Sequence, residues 1–591
     1  MKFIKGIFRA VIIVSALSDC NIIVSQMPGL FIKSTGLSDY EVRPTWFWEV
    51  YGPDLVAGFR YSFNVEDDWK EVDASVRSFQ PAAPLDVGTY TLHVQSQSAS
   101  GVWSRSASES VIVRILSPYT PTDLLFTGTV ATDNIGQWSL EKIHLPELWG
   151  YLKVLEDAGL QRSEVIVAVI DTGYTNHPDL IGPPTNLLID QGYDLIASPI
   201  DAEDGDGVDP DATDEGDGNI SVDNSWHGSG VASVIAALSD NGGNGVAGIG
   251  LNSVKVIPIR ALGKNGGTTY DIAQSIRYAA GLPNDSGKVP DVVAKIINLS
   301  IGAYVSSDPY VDEALEAVAG MGIIVVAAAG NEREDGKSEV AYPALSDHVV
   351  AVAATTYFDS IAPYSNPGDL VDVAAPGGIG DFFPSHLEYT NTWRDWVIAA
   401  SPKFEKTHPL ISDDYVYAGI VGTSIATPHV AGVLALLCTV DNRMDLAAAL
   451  EIFERSSMDL GPQGKDRDFG HGLLHALHAF GAYNVIREEV LLPISSKTGN
   501  PELRLQSVPV GKIDERHLIV RLHNENTVSA KALGHAADVL TAKGVTLVSG
   551  HVGRDNLVQV NEAANIQDVR EDLLTEEEVV AVFFNYRYFP L

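Results

Sequence analysis

The feature that most constrains the fold is an alternation of apolar runs and helical stretches between residues 123 and 485. Runs of this kind are strands buried on both faces, which is typical of a parallel sheet covered by helices. The sequence therefore predicts an α/β domain over this range. The predicted strands are 165–170, 254–259, 292–299, 323–328 and 349–353, and the predicted helices are 230–238, 270–280 and 311–319.

Two further regions flank this domain. Residues 41–116 alternate apolar and polar side chains, as at Trp46 and Trp48, which predicts a β-sandwich. Their pattern resembles bacterial Ig-like modules, either a surface spacer or binding module or a plain structural domain. Residues 505–591 read β-α-β-β-α-β, the order of a ferredoxin-like unit.

The charge balance and the N-terminus bear on partners and location. Acidic residues outnumber basic ones by 77 to 39, and the net charge of −38 repels phosphate backbones, so nucleic acid is excluded as a partner. Residues 1–20 carry a basic start and the short apolar run Ala10–Leu17, which predicts an export signal, with a buried first strand as the alternative.

The end of this signal leaves two maturation routes open. The stretch Leu17–Cys20 resembles a lipobox, which would attach the protein to a membrane through an acylated Cys20. Plain cleavage after Ala16 is the competing interpretation. Both predict an exported protein, either extracellular or attached to the cell surface or outer membrane.

Three segments of the central domain carry the residue types of nucleophilic catalysis. Asp171 ends a predicted buried strand, His227 opens a predicted helix, and Ser424 lies at the start of another helix. A serine hydroxyl is a weak nucleophile and needs a histidine base, which a carboxylate orients and stabilises when it is protonated. The three residues therefore form a candidate catalytic triad.

The order Asp, His, Ser is the subtilisin order. With the segments Ala327–Glu332 and Asn298–Gly302, the central domain resembles the subtilases, the subtilisin-like serine endopeptidases. The resemblance implies a subtilisin-like parallel-sheet fold and the hydrolysis of protein or peptide substrates through an acyl-enzyme on Ser424. It also implies that Asn331 donates its side-chain amide to the oxyanion, and it calls for no organic cofactor.

The same resemblance assigns the substrate-binding residues. Small side chains along these segments predict an open first pocket, hence broad specificity with a large apolar P1 residue, the residue that supplies the scissile carbonyl. The candidate substrate-binding residues are Ser300, Ile301, Gly302, Ala327, Ala329 and Gly330.

Two other functions, a non-catalytic adhesin and an esterase, are alternatives to a peptidase. One is a non-catalytic adhesin on a decayed subtilase scaffold, which the intact Asp171, His227, Asn331 and Ser424 argue against. The other is an esterase, but no Gly-x-Ser-x-Gly elbow surrounds Ser424. A serine endopeptidase remains the leading prediction.

An acidic stretch separates Asp171 from His227. Residues 201–217 contain nine acids and no base, and such a loop repels itself unless a cation neutralises it. The prediction is structural calcium, and a solvated acidic loop is the alternative. The candidate ligands are Asp204, Asp206, Asp209, Asp211, Asp214 and Asp217.

The C-terminal region resembles the ferredoxin-like propeptide of subtilases, which in the family precedes the protease, assists its folding and blocks its cleft. Here the similar region, 505–591, follows the catalytic domain. The resemblance implies a module that docks in the chain's own cleft or on another subunit. A generic α+β accessory domain is the alternative.

Overall fold

The structure is a computed structural model in two compact units, Met1–Arg114 and Ile115–Leu591. No helix among the described residues is long and apolar enough to span a bilayer. The described residues are 29–35, 45–51, 56–65, 68–81, 88–113, 117–126, 136–157, 159–217, 224–242, 245–380, 396–402, 415–489, 513–522, 545–547, 555–560 and 579–591.

The first unit consists of two antiparallel sheets, in the orders β1-β2-β5 and β4-β3-β6-β7. Trp46 and Trp48 of one sheet share a buried core with Phe59, Leu92 and Val94 of the other, as alternating apolar strands require. Its strands are β1 (Gly29–Thr35), β2 (Thr45–Tyr51), β3 (Val56–Phe63), β4 (Lys70–Asp73), β5 (Ser78–Phe79), β6 (Gly88–Ser98) and β7 (Ala107–Val113).

This unit begins earlier than the sequence predicts, because β1 lies before residue 41 and pairs along its whole length with β2. The Ig-like assignment itself stays a prediction. Residues 1–20, with the predicted signal and Cys20, lie outside the described residues.

The second unit is built on a seven-stranded parallel sheet in the order β16-β15-β14-β12-β8-β10-β9. This confirms the predicted α/β domain and its five central strands. The strands of the sheet are β8 (Val165–Asp171), β9 (Tyr193–Asp194), β10 (Val254–Arg260), β12 (Ile296–Leu299), β14 (Ile324–Ala328), β15 (Val349–Thr355) and β16 (Val373–Pro376). Short strands β11 (Gly267–Thr268) and β13 (Ile301–Gly302) and the hairpin β17 (Val397–Pro402) and β18 (Tyr415–Ile420) lie outside it.

Helices cover both faces of this sheet. The pair α6 and α7 packs into the large core cluster on one face, and α5 and α8 pack together on the other. The helices are α1 (Trp138–Lys142), α2 (Leu145–Asp157), α3 (Pro178–Ile181), α4 (Pro199–Ala202), α5 (His227–Ala236), α6 (Thr269–Ala279), α7 (Pro309–Gly320), α8 (Thr423–Cys438), α9 (Leu446–Ser456) and α10 (Ala476–Glu489).

Four C-terminal strands form an antiparallel sheet in the order β22-β19-β21-β20. They are β19 (Ile513–Leu522), β20 (Val545–Leu547), β21 (Asp555–Val560) and β22 (Val579–Pro590). The predicted helices 530–543 and 566–574 lie outside the described residues, so the ferredoxin-like arrangement stays a prediction. This sheet belongs to the same compact unit as the parallel sheet.

Candidate active site

Asp171 and His227 form a hydrogen-bonded pair at the carboxyl edge of the parallel sheet. Asp171 is the last residue of β8 and is fully buried, and its two oxygens lie 2.8 and 3.0 Å from His227 Nδ1. The backbone N–H of Thr172 also donates to Asp171, at 2.8 Å, which fixes the carboxylate in place. The carboxyl ends of parallel strands are the usual edge for binding sites in α/β sheets.

A glycine allows His227 to come this close. Gly228 follows it in α5, and a Cβ there would lie 2.2 Å from the carbonyl oxygen of Gly173, just beyond β8. Any larger residue at position 228 would therefore push the helix start away from Asp171.

The hydrogen bond between Asp171 and Nδ1 of His227 leaves the other ring nitrogen, Nε2, able to accept a proton. Because the Asp171 carboxylate only accepts hydrogen bonds, Nδ1 is the donor, and Nε2 is left as the acceptor. Nε2 is buried and has no hydrogen-bond partner among the described residues. Burial by itself would lower the pKa of His227, but the charge and hydrogen bond of Asp171 outweigh it, so the pKa is raised.

Ser424 lies in the first turn of α8, the buried helix that packs on α5. The residue before this helix, Gly422, has a φ of 144°, a conformation open to glycine. A Cβ on Gly422 would have three nearest neighbours: Ser424 Oγ at 2.8 Å, the Leu591 carbonyl oxygen at 3.0 Å and Asn331 Nδ2 at 3.2 Å. The serine hydroxyl, the side-chain amide and the carbonyl oxygen of Leu591 therefore converge on one point.

Thr423 orients the side-chain amide of Asn331. Its Oδ1 accepts hydrogen bonds from the backbone N–H and the hydroxyl of Thr423, each at 2.9 Å. The opposite end, Nδ2, is thereby directed away from Thr423 and lies beside Gly422. This is the orientation that a hydrogen-bond donor to a carbonyl oxygen needs.

Residues 587–591, which we call the tail, run along the predicted substrate strand. Pro590 and Phe589 pair antiparallel with Ile301 and Gly302 of β13, and Tyr588 and Arg587 pair with β11. Leu591, the last residue of the sequence, donates its N–H to the Ser300 carbonyl at 3.2 Å. Its own carbonyl oxygen accepts a hydrogen bond of 2.9 Å from the backbone N–H of Ser424.

The side chain of Leu591 fills a small apolar pocket. It clusters with Ala328 and Ala341, and Tyr304 packs against this cluster. A Cβ on Gly302 would lie 2.3 Å from Leu591 Cδ1, so the lack of a side chain at position 302 leaves room for the leucine. Leu591 thus lies where the P1 residue of a peptide would lie.

Three of the six predicted substrate-binding residues meet the tail directly, namely Ser300, Ile301 and Gly302. The N–H of Gly330 donates to the Thr423 hydroxyl at 3.1 Å, behind Asn331. Ala327 and Ala329 belong to the central core cluster, which also includes Tyr588 of the tail, while Ala328 packs on Leu591.

The six predicted calcium ligands do not lie together. Only Asp204, Asp206 and Asp209 each offer a carboxylate oxygen within 4.8 Å of the other two. Local hydrogen bonds do not separate the two sets. Asp204 accepts from the N–H of Asp206 and from Arg260, and Asp209 accepts from the N–H of Asp211. The other three accept as follows: Asp211 from Thr213, Asp214 from Thr172 and Gly216, and Asp217 from Ser225.

Asp214 has a place in the site that sequence reasoning missed. It is buried and accepts a hydrogen bond of 2.6 Å from Thr172 Oγ1, which in turn accepts from the N–H of Gly228 at 3.0 Å. Burial raises the pKa of Asp214 to about 7. Because acidic residues are so frequent in this loop, the sequence does not single out Asp214 as the loop residue that supports the start of α5 through Thr172.

The profile of the Subtilase family, peptidase S8, matches residues 162–472, more than half of the chain. This range contains Asp171, His227, Asn331 and Ser424. The chain belongs to the subtilase family.

Individual subtilases show how far the similarity extends. The extracellular protease of Xanthomonas campestris pv. campestris is 36% identical over 323 residues, which cover 53% of this chain and 50% of that protein. Thermitase of Thermoactinomyces vulgaris is 30% identical over 336 residues, covering 56% of this chain and 91% of thermitase. The chain spans about half the length of the extracellular protease and of the extracellular basic protease of Dichelobacter nodosus.

A solved protease structure agrees with the fold. A protease from Pseudoalteromonas arctica superposes with a TM-score of 0.51 at 32% identity, covering 62% of this chain and 99% of that structure.

Proposed function

We propose that this subtilase is an exported serine endopeptidase that hydrolyses peptide bonds through an acyl-enzyme on Ser424. The observation that carries the proposal is the convergence of Ser424 Oγ, Asn331 Nδ2 and the carbonyl oxygen of Leu591 beside Gly422. The carbonyl oxygen of Leu591 also accepts from the Ser424 N–H at 2.9 Å, so two donors face the position of a developing oxyanion.

The proposed chemistry gives each of these residues a role. Ser424 Oγ attacks the scissile carbonyl carbon while His227 Nε2 takes its proton, and the buried Asp171 stabilises the imidazolium. His227 then gives the proton to the leaving amine, and a water molecule hydrolyses the resulting ester. The Ser424 N–H and Asn331 Nδ2 stabilise the oxyanion in both steps.

Labelling of the full chain tests this activity. A sulfonyl fluoride should add one mass increment to the wild type and none to Ser424→Ala, and the wild type should cleave the amide bond of a peptide. If neither the wild type nor a variant with a weakened tail, Leu591→Ala, takes up the label, the non-catalytic adhesin is the better account. Cleavage of esters without peptides would instead favour the esterase.

The P1 preference is proposed to be large and apolar. The residues around Leu591 are Gly302, Ala328, Ala341 and Tyr304, whose ring packs against the cluster. Among peptides that differ only at P1, leucine should be cleaved faster than aspartate or lysine. Equal rates would contradict the assignment of this pocket.

The tail is proposed to block the cleft of its own chain. It occupies the P5 to P1 positions, pairs with β11 and β13 on its two sides, and delivers its carbonyl oxygen to Ser424. A block within one chain is independent of protein concentration, so the labelling rate should not change on dilution. A rate that rises on dilution would instead indicate docking on another subunit.

Calcium is proposed to bind at Asp204, Asp206 and Asp209. Three carboxylates this close supply the hard oxygen donors that calcium prefers. Burial, together with the negative charges of Asp206 and Asp204, raises the pKa of Asp209, and a divalent cation would relieve that crowding.

Titration of the full chain with Ca²⁺ checks the site. Asp206→Asn should weaken binding at least tenfold, while Asp211→Asn, whose carboxylate already serves Thr213, should bind like the wild type. Chelation should speed cleavage of the 201–217 loop by a glutamate-specific protease. Identical titrations for both variants would indicate a solvated acidic loop.

Export is proposed from the basic and apolar start of the chain, and it agrees with relatives named extracellular proteases. Acylation of Cys20 would hold the protein at the cell surface. The N-terminal mass of the mature protein decides the route: a diacylglyceryl Cys20 that is lost in Cys20→Ser supports attachment. A chain that starts at Leu17 supports release instead.

A further inference from the structure

The tail contains a second deeply buried side chain besides Leu591. With Leu591 at P1, as the proposed function has it, Tyr588 lies at P4, the fourth residue before the scissile bond. Tyr588 is 0% exposed, whereas its neighbour Phe589 is 45% exposed. A strand that lay only loosely in the cleft would leave both aromatic rings near water, so position 588 has a pocket of its own.

The residues that surround the hydroxyl end of Tyr588 are polar. The Tyr588 hydroxyl donates a hydrogen bond of 2.8 Å to Oδ2 of Asp308, which is itself buried. The same oxygen accepts from Thr269 Oγ1 at 2.5 Å. The ring of Tyr342 packs edge-on against Tyr588, with the ring centroids 6.2 Å apart.

Asp308 is held in place independently of the tail. It is the N-cap of α7, and its Oδ1 accepts from the backbone N–H groups of Tyr310 and Val311 at 3.2 and 3.3 Å. Its position is therefore set by the helix, and one face of Oδ2 is left for a hydroxyl donor. A buried carboxylate with an unfilled acceptor position discriminates against a ligand that lacks the donor.

We propose that Asp308 and Thr269 form a P4 subsite selective for tyrosine, and that Tyr588 occupies this subsite in the full chain. The substrate class is then peptides with tyrosine at P4 and a large apolar P1 residue. A phenylalanine at P4 would fill the same apolar walls but leave Asp308 Oδ2 without its second donor. The inference rests on the proposed peptidase activity, and its test separates the two.

The kinetic test compares two peptide amides, Arg-Tyr-Phe-Pro-Leu and Arg-Phe-Phe-Pro-Leu, on the full chain carrying Leu591→Ala. The tail competes equally with both peptides, so the ratio of their kcat/KM values reports the subsite alone. A hydrogen bond to a charged group predicts a ~10- to 100-fold preference for tyrosine. Asp308→Asn keeps the helix cap and should reduce the ratio below about threefold.

Asp312→Asn is the matched control. Asp312 lies one turn further along α7 and accepts from the hydroxyls of Tyr342 and Ser346 rather than from Tyr588. It therefore separates the Asp308 hydrogen bond from the support of the Tyr342 ring that packs on Tyr588. This variant should keep the preference of its parent. A ratio near one in the parent, or an equal loss in both variants, would overturn the subsite while leaving the peptidase activity intact.

A binding measurement keeps the test independent of catalysis. The full chain with Ser424→Ala and Leu591→Ala is titrated with fluorescein-labelled Arg-Tyr-Phe-Pro-Leu and with its phenylalanine analogue, and the anisotropy is followed. The tyrosine peptide should bind ~10- to 100-fold more tightly. Equal affinities overturn the inference. Absence of cleavage together with a tenfold binding preference would reject the activity and support the subsite.

Discussion

Shortening Leu591 to alanine is expected to expose Ser424 about fiftyfold more often. The leucine is 8% exposed and packs on Ala328, Ala341 and Tyr304, while its backbone contacts with Ser300 and Ser424 do not depend on the side chain. Leu591→Ala removes three buried carbon atoms, ~0.8 kcal/mol each, or ~2.4 kcal/mol of tail binding. Since ~1.4 kcal/mol is tenfold, the open fraction rises ~50-fold.

The assay is the rate at which a fluorophosphonate labels the full chain, read as intact mass. If the tail opens and closes faster than the reagent reacts, this rate is proportional to the open fraction. Phe589→Ala is the matched control, because it removes a larger side chain from the same strand at a position that is 45% exposed. Because its ring is about half exposed, each carbon that it removes should weaken tail binding about half as much as a carbon removed from Leu591. An equal loss of tail binding per removed carbon in both variants, or no acceleration by Leu591→Ala, would refute the buried-anchor reasoning.

Three further outcomes follow from the site. Asn331→Leu should lower kcat by ~10²–10³ with little change in KM, and a loss below tenfold would assign the oxyanion to another donor. Because Asp171 raises the pKa of His227, kcat/KM should fall with decreasing pH from above the ordinary histidine value of ~6.5, and Asp171→Asn should move that limb to lower pH. Burial raises the pKa of Asp214 to about 7, so its ionisation destabilises the native state as pH rises from ~4 to ~7. Urea unfolding at pH 5 and pH 8 should show a smaller difference for Asp214→Asn, and equal differences would contradict this.

The parallel sheet and the places of Asp171, His227 and Ser424 in it were predictable because their signals are local, while their catalytic roles stay a prediction. Each central strand is a short apolar run, and Asp171, His227 and Ser424 each stand at the end of a strand or the start of a helix. At these points the backbone direction changes, and the side chain is carried to the carboxyl edge of the sheet.

The alanines of the first pocket show where local patterns fail. Ala327, Ala328 and Ala329 are all buried and equally small, so alternation does not tell which one faces the cleft. The structure packs Ala328 on Leu591 and turns its two neighbours into the core. The acid-rich loop is a related case, because its composition does not tell which of its carboxylates lie together. The structure brings only Asp204, Asp206 and Asp209 of the six within 4.8 Å of one another, and calcium itself stays a prediction.

The P4 subsite could not be found by spacing, because its parts are far apart in the sequence. Asp308 caps one helix, Thr269 opens another, and Tyr588 comes from the tail. From the sequence alone, Asp308 is predicted to be an ordinary helix N-cap. Only the docked tail reveals that the cap has a further hydrogen-bond position.

The pairing of β22 determines how the proposed block of the cleft would be released. Its residues from Val579 to Tyr586 pair with β19 inside the C-terminal sheet, and pairing with β11 and β13 begins only at Arg587. Opening the cleft therefore requires separating the tail alone, while the strand keeps its place in the sheet. Because the tail stays tethered beside its site, it rebinds at a high effective concentration. A peptide substrate must compete with the rebinding of the tail. Its affinity for the cleft at the P1 and P4 positions therefore decides whether it displaces the tail.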